Sequence, residues 1–432
     1  MKQIGVGLIG FGTVGAGVAD GLQRNRELIK SRLGVDVVLR RIGDLDITTD
    51  RGVKVDPSIM RTDAFAVIAD PEVDIVVELI GGTGIARKVV MAALEAGKPV
   101  VTANKKLLAE YGREIFALAA EKNVDIYFGA SVGGGIPIIR VLREGLVGNR
   151  INHIHGILNG TCNYILTRME DEGKAFADVL ADAQKLGYAE ANPSLDIDGF
   201  DTAHKALILA ALSYGVQLPL DAISVEGIRG LDGRDVGYAR DLGYKIKLLA
   251  TVAREGDDIE VFVSPTLVPK AHMLASVSGV FNAAMVNGDM AGDTLYYGRG
   301  AGRAPTASTV VGDIADVARN LADGEVRHPQ VVPASDAALR LRPAAEMNHA
   351  FYIRLNVRDD AGSLGKFATI LGAHNVSIDA AIQQRGAEKP DAVPVVVVTH
   401  VAREADVAAA LDEIFASGVV TEKPVRFRIL GE

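Results

Sequence analysis

Apolar positions set the first expectation. Ile4-Gly5-Val6-Gly7-Leu8-Ile9 is a short continuous apolar run of the kind a buried strand needs, and it feeds directly into Gly10-Phe11-Gly12-Thr13-Val14-Gly15. A helical pattern follows to about Leu28, and a second apolar stretch, Val35 to Leu39, closes a β-α-β unit. Ile75–Val77, Val100–Thr102 and Val124–Phe128 read as further strands, with helices over Ile85–Ala96 and Glu110–Lys122. Strands alternating with helices predict a mostly parallel sheet covered on both faces.

After Gly133-Gly134-Gly135 the rhythm changes. A strand over Ile151–Leu158 is mixed with helices over Phe176–Leu186 and Thr202–Ser213. Gly298-Arg299-Gly300-Ala301-Gly302 then precedes Pro305 and an amphipathic helix to about Leu321. Proline suits a first helical turn, where its missing N–H would have had no helical partner. Arg327 to Glu346 reads as a linker. Beyond it come a strand (Phe351–Val357), a helix (Ser363–Gly372), strands over Val376–Gln384 and Val393–Val401, a helix (Glu404–Ala416) and a last strand (Val425–Ile429). That order, βαββαβ, is the ferredoxin-like arrangement.

The fold class expected is therefore α/β, with three parts: a Rossmann-type domain of the dinucleotide-binding kind, an α+β middle domain, and a C-terminal ferredoxin-like domain. The first spans 1–132 and is completed by 303–325, the second spans 133–302, a linker covers 326–348, and the third spans 349–432.

Composition narrows the function. The chain has 432 residues, 48% hydrophobic and 23% charged, which fits a folded protein of more than one domain. A net charge of −9 argues against nucleic acid as a partner, since phosphate-backbone binders concentrate Lys and Arg. One cysteine, Cys162, excludes an internal disulfide and fits a reducing compartment. No apolar run reaches the roughly 18 residues of a membrane span, and the N-terminus lacks a signal-peptide pattern, so the expectation is cytoplasmic, with no membrane partner.

Gly10-x-Gly12-x-x-Gly15 lies between strand and helix, where a dinucleotide fingerprint belongs. The first glycine permits a tight turn, the second admits the pyrophosphate, and the third lets helix and strand pack closely. With Phe11, Thr13 and Val14 these form the candidate cofactor loop, the alternative being a glycine turn without a ligand. The second strand is expected to end at Arg40-Arg41, which favours NADP with both arginines reading the 2′-phosphate. NAD is the alternative, with Arg40 and Arg41 as surface arginines and Asp44 or Asp46 on the ribose. Gly81 joins the cofactor set.

Ala103-Asn104-Lys105 follows a strand end, at the edge where open α/β sheets bind ligands. A lysine buried beside a cofactor has a lowered pKa and becomes able to transfer protons, whereas a surface lysine carries no such role. Gly187-Tyr188-Ala189-Glu190 is followed by Asp196, Asp198, Asp201 and Lys205. Asp201 and Lys205 are four apart and share a helix face, which serves equally for catalysis or for a plain salt bridge. A carboxylate such as Glu190 is a natural partner for the ammonium of an amino acid.

With these residues in view, the chain resembles the homoserine dehydrogenase family from its first strand to about Ala322, and an ACT domain beyond. The stretches that carry the resemblance are Gly10–Gly15, Val101–Lys105, Ser131–Pro137, Gly156–Tyr164, Gly187–Glu190, Asp201–Lys205 and Gly298–Thr306. The resemblance implies reversible NAD(P)-dependent reduction of L-aspartate 4-semialdehyde to L-homoserine, in threonine and methionine biosynthesis. It implies that Lys205 donates and accepts the proton, that Lys105 lies between nicotinamide and substrate, and that Asp201 orients the reacting hydroxyl or a water. Glu190 would hold the substrate amine, with Asp196, Gly187 and Tyr188 beside it. Gly300 and Gly302 would close over the nicotinamide.

The resemblance further implies a monovalent cation such as sodium on the carbonyls of Val132, Gly134 and Ile136. At position 129 this chain carries glycine where the family has glutamate, which removes a charged ligand. Asn192 stands where an aspartate is common. A homodimer or homotetramer is expected, paired through the middle domain. The ACT stretch Asp359–Leu364, with Ser377, Ile378 and Gln383, suggests threonine as an effector, against a purely structural role. The rival reading is a non-catalytic NAD(P) and amino-acid sensor.

Overall fold

The computed structural model describes residues 2–327, 338–383 and 392–431. The chain folds into two compact units: Met1–Gly160 with Ala203–Ala222 and Phe281–Ala338, and Thr161–Thr202 with Ile223–Val280 and Leu339–Glu432.

The first unit is built on six parallel strands, β1 (Gln3–Ile9), β2 (Asp36–Gly43), β3 (Met60–Arg61), β4 (Ile75–Glu78), β5 (Val100–Thr102) and β6 (Ile126–Tyr127). Their order is β3-β2-β1-β4-β5-β6, so the chain reverses direction across the sheet between β1 and β4. Such a switch point leaves a crevice at the carboxyl ends of the strands. Val6 and Leu8 of β1, Ile75 and Val77 of β4 and Val101 of β5 share one core with Val310, Ile314 and Val317 of the helix Arg303–Asp323. That late helix, with apolar residues at helical spacing, thus completes the early domain. The strands Ile151–Ile157, Phe281–Gly288 and Gly292–Arg299 form an antiparallel set in the same unit.

Three boundaries differ from expectation. The first helix stops at Arg24 with Asn25 as its C-cap, and a separate helix runs Arg26–Leu33 to a left-handed Gly34. β2 continues to Gly43, because Ile42 is fully buried and extends the apolar run past Arg40 and Arg41. The helix expected to begin at Glu110 begins at Lys105. The short strand β3 and the helix Ala64–Ala69, a six-residue apolar run, are not among the expected elements.

In the second unit the antiparallel pair Tyr244–Glu255 and Asp258–Pro269 meets the C-terminal βαββαβ domain. Val425–Ile429 pairs parallel with Asp258–Pro269, Leu267 opposite Ile429, and antiparallel with Asn348–Arg358 on its other side. The sheet continues through Ala392–Thr399 to Ile378–Gln383. A buried ionic group joins the same parts. Arg354, 4% exposed, places Nε 2.6 Å and Nη2 3.0 Å from the oxygens of Asp235, 1% exposed, and Tyr352 donates to Asp235 at 2.8 Å. The C-terminal domain is therefore continuous with neighbouring strands rather than hung on a tether. Of the expected linker, 328–337 lies outside the described residues. Arg340–Leu341 forms a short strand on Asp258–Ile259, with Arg340 and Arg342 paired to Asp258.

Candidate active site

The fingerprint loop has the geometry its three glycines require. Gly10 has φ +99°, and a Cβ there would come within 2.6 Å of the Leu79 carbonyl. A Cβ on Gly15 would sit 2.0 Å from the carbonyl oxygen of Gly10, so helix and loop pack too closely for any side chain. Around Gly12 nothing lies within 4 Å of that position. Gly12 is also the N-cap of the helix Thr13–Arg24 and offers no side-chain cap, which leaves its first N–H groups to an anion. These residues fit a dinucleotide pyrophosphate.

Arg40 and Arg41, expected at the end of β2, lie inside it. Arg41 is opposite Gly7 of β1, and its Nε and Nη2 bind Asp70 and Glu72 at 2.6 and 3.0 Å. Arg40 donates to Gln3 at 2.8 Å and lies 3.7 Å from Glu72. The residue just past the strand is Asp44. Its carboxylate accepts the Phe11 N–H at 2.5 Å and the Asp46 N–H at 2.9 Å.

Lys105 is placed by a buried chain of hydrogen bonds that the sequence pattern does not announce. Glu78, fully buried at the end of β4, accepts from the N–H groups of Ile80 and Gly81 and from the Thr102 hydroxyl at 2.6 Å. Thr102 accepts the Asn104 N–H at 3.0 Å, and the Asn104 amide donates to the Gly82 carbonyl at 2.7 Å. Asn104 also caps the helix that Lys105 opens. Glu78 therefore ties the ends of β4 and β5 together and fixes both the Gly81 turn and the backbone of Lys105. The signal available was a single acid inside an apolar run, Ile75–Ile80, that ends at two glycines.

Lys205 is 7% exposed, midway along the helix Phe200–Tyr214, and its Nζ donates to the Leu158 carbonyl at 2.5 Å. Leu158 directly precedes the Asn159-Gly160 step of the Asn-Gly-Thr-Cys-Asn-Tyr run. Asp201 lies one turn earlier on that helix and is also buried.

In the second unit two sequence motifs meet. Thr161 donates to the Tyr188 carbonyl at 2.7 Å, Cys162 donates to the Asp196 carbonyl at 3.2 Å, and the rings of Tyr164 and Tyr188 lie 5.0 Å apart. Gly187 takes a left-handed φ of +75°, after which Tyr188 and Glu190 are exposed. Asp198 is held by Arg229 at 2.6 Å, a surface ion pair. Asn163 is anchored instead by a buried lysine absent from the expected set: Lys247 donates to the Val277 carbonyl at 2.6 Å and to Asn163 Oδ1 at 3.2 Å. Burial lowers the Lys247 ammonium to about 8.

The segment 132–136 meets the 298–302 loop by backbone. Gly135 donates to the Arg299 carbonyl at 3.0 Å, and a Cβ on Gly134 would lie 2.4 Å from the Gly300 carbonyl oxygen. Thr309 caps the Gly134 carbonyl at 2.7 Å. At Gly129 the neighbour is Asp313, whose Oδ2 accepts the Gly129 N–H at 2.8 Å. A Cβ on Gly129 would lie 2.9 Å from Asp313 Oδ1, so a carboxylate arriving from the helix Arg303–Asp323 fills the space a longer residue would need. Burial pushes the Asp313 carboxyl up to about 7, against the Gly129 hydrogen bond and the charges of Arg143 and Arg140.

Among the described residues no group of His, Cys, Asp and Glu is arranged to hold a metal ion through side chains, and no helix is long and apolar enough to cross a membrane.

Comparison with known proteins agrees with this geometry. The NAD-binding domain of homoserine dehydrogenase matches residues 10–129, the homoserine dehydrogenase domain matches 137–315, and the ACT domain matches 351–418. A homoserine dehydrogenase from Neisseria gonorrhoeae is 48% identical over 428 residues, covering 98% of each chain. One from Pseudomonas aeruginosa is 44% identical over 432 residues, covering 99% of each. The crystal structure of a homoserine dehydrogenase from Thiobacillus denitrificans superposes with a TM-score of 0.92 at 44% identity, covering 100% of this chain and 99% of that one. A hyperthermophilic archaeal homoserine dehydrogenase, solved in complex with NADPH, matches 75% of this chain and 100% of its own, with a TM-score of 0.62 at 29% identity. The chain belongs to the homoserine dehydrogenase family, the NAD(P)-dependent oxidoreductases of amino-acid biosynthesis.

Proposed function

We propose that Lys205 carries the proton in the family's reaction, the reversible reduction of L-aspartate 4-semialdehyde to L-homoserine. The observation that carries this reading is the buried Lys205 ammonium, held 2.5 Å from the Leu158 carbonyl at the entrance to the Asn159-Gly160 step. When bound, the reduced nicotinamide supplies the hydride for the aldehyde carbon. Lys205 Nζ gives a proton to the aldehyde oxygen as it becomes the alcohol, and takes that proton back in the reverse direction. Lys105 faces the same reacting carbon. Asp201 orients the hydroxyl or a water, and Glu190, with Asp196, Gly187 and Tyr188, receives the amino end of the substrate.

Gly10, Phe11, Gly12, Thr13, Val14, Gly15 and Gly81 hold the cofactor, and Gly300 and Gly302 cover its nicotinamide side. The carbonyls of Val132, Gly134 and Ile136 take a monovalent cation. Asp313 supports that reading, since it supplies a carboxylate where Gly129 has none. Threonine acts through the ACT domain, and the protein works as a homodimer or homotetramer in the cytoplasm.

The decisive experiment is consumption of reduced nicotinamide with aspartate semialdehyde. Turnover is expected, and binding of cofactor without turnover would leave the sensor reading in its place. Threonine added to the full-length enzyme should lower the rate, and an unchanged rate at saturating threonine would remove the effector assignment. Light scattering after size exclusion reads the oligomer.

A further inference from the structure

We infer that Asp44 makes this enzyme prefer NAD over NADP. The inference rests on the reading that Gly10–Gly15 holds the cofactor pyrophosphate. With the pyrophosphate over the end of β1, the adenosine ribose lies toward β2, and its 2′ and 3′ positions meet the first side chain past that strand. Gly43 is opposite Ile9, and the Gly10 N–H donates to the Gly43 carbonyl at 2.8 Å, so Asp44 is level with the fingerprint itself.

Its carboxylate is fixed there. Oδ2 accepts the Phe11 N–H, Oδ1 accepts the Asp46 N–H, and the Asp44 N–H donates to the Arg61 carbonyl at 3.0 Å. Each carboxylate oxygen keeps a second lone pair, which suits the two hydroxyls of an unsubstituted ribose. A 2′-phosphate would bring like charge against a carboxylate that cannot swing away, which is discrimination by repulsion.

The cations nearby are committed elsewhere or further off. Arg41 is opposite Gly7, three residues or about 10 Å short of Gly10, and is held by Asp70 and Glu72. Arg40 lies beside Glu72, and Arg51 is paired with Asp46 at 2.9 Å. Arg61, opposite Gly43 on β3, spends its Nη1 on the Ser58 and Met60 carbonyls at 2.8 and 2.7 Å, and Arg303 is an alternative reader of a 2′-phosphate. Its side chain packs on Gly17, and its Nη1 would lie 3.8 Å from a Cβ on Gly52.

The test is equilibrium binding without substrate, NADH and NADPH being titrated separately and followed by nicotinamide fluorescence. NADH should bind at least about tenfold tighter. Asp44→Asn, which keeps an acceptor for Phe11 but gives up the bond from the Asp46 N–H and drops the charge, should tighten NADPH by about tenfold or more relative to NADH, the melting temperature being followed alongside to separate the lost bond from the lost charge. Wild-type protein that binds NADPH as tightly as NADH, or tighter, would overturn the inference while leaving the cofactor loop in place. Loss of such an NADPH preference in Arg303→Ala would then assign the role to Arg303. Binding of neither nucleotide would bring down the cofactor loop and this inference together.

Discussion

The ammonium of Lys205 and the carbonyl of Leu158 are joined by a 2.5 Å hydrogen bond that links the helix Phe200–Tyr214 to the residue after the strand Ile151–Ile157. A buried ammonium needs acceptors to offset desolvation, and a fixed carbonyl also sets the direction in which its remaining protons point. Lys205→Met keeps the apolar stem and removes the proton. Turnover should fall by about 100-fold or more, while NADH binding changes by less than about twofold. A rate within tenfold of wild type would remove Lys205 from the chemistry. Lys105→Met should also slow turnover, and comparing kcat with KM separates chemistry from substrate binding.

Gly12 and Gly15 make a contrast within one loop. Alanine at 15 would press its Cβ against the Gly10 carbonyl oxygen at 2.0 Å, so the loop must shift and stability should fall along with nucleotide affinity. Alanine at 12 meets nothing within 4 Å. Its melting temperature should match wild type, yet nucleotide affinity should drop by about tenfold or more, because the methyl group occupies the approach of the pyrophosphate. Titration of both variants, alongside thermal melts, checks the pair. Normal nucleotide affinity in Gly12→Ala would refute the assigned approach.

How far the sequence discloses this site depends on the range of the signal. The strand, glycine turn and helix at the N-terminus are local, and Gly10, Gly12 and Gly15 are readable from spacing alone. The ferredoxin-like order near the C-terminus is readable for the same reason. The end of β2 is not, because two consecutive arginines look like a strand boundary. Their charges are in fact met by Asp70 and Glu72, some thirty residues away. Glu78, Lys247 and Asp313 are equally opaque. Each is a charged side chain made tolerable by partners from distant segments, and local periodicity carries no record of such partners. The parallel pairing of Val425–Ile429 on Asp258–Pro269 likewise depends on register between strands about 160 residues apart in the chain.

Gly129 and Asp313 should behave as a coupled pair. Gly129→Ala puts a Cβ 2.9 Å from Asp313 Oδ1 and from Thr309 Cγ2. Overpacking of this kind costs about 1–3 kcal/mol, read as a lower urea midpoint. Asp313→Gly in the same chain frees the space, so the double variant should be less destabilised than the sum of the two single ones. Strict additivity would show that the two positions do not compete for one volume.

The buried group Arg354–Asp235–Tyr352 predicts that the ACT domain and its neighbouring strands unfold together. Replacing Arg354 with Met leaves Asp235 buried with part of its hydrogen bonding lost, and breaking such a pair costs about 3–5 kcal/mol. Deleting 345–432 would strip the same partners from Asp235 and expose the edge of Asp258–Pro269 that Val425–Ile429 now covers. Threonine regulation is therefore better tested in the full chain than in a truncated one. Arg354→Met should show one cooperative transition at lower urea concentration. A separate early transition confined to the C-terminal domain would contradict the continuity of this sheet.

His349 gives the pH dependence. Its ring packs against Phe262 and Phe351, with centroids 5.4 and 6.4 Å away, and burial lowers it to about 4. Arg428 and Arg342 add to the lowering, Glu404 opposes it, and Glu260 lies 4.0 Å from Nε2. The unfolded chain takes up this proton near the ordinary histidine value of about 6.5, whereas the folded chain takes it up only near 4. Between those values the unfolded state binds more protons, so stability rises with pH. The contribution is fully present above about 6.5 and is lost as pH falls toward 4, to a total of at most about 3 kcal/mol. His349→Leu keeps the packing and abolishes the titration. Urea unfolding at a series of pH values should therefore show a shallower decline for His349→Leu than for wild type between pH 6.5 and 4. Parallel declines would mean that the loss of stability in acid arises elsewhere in the chain.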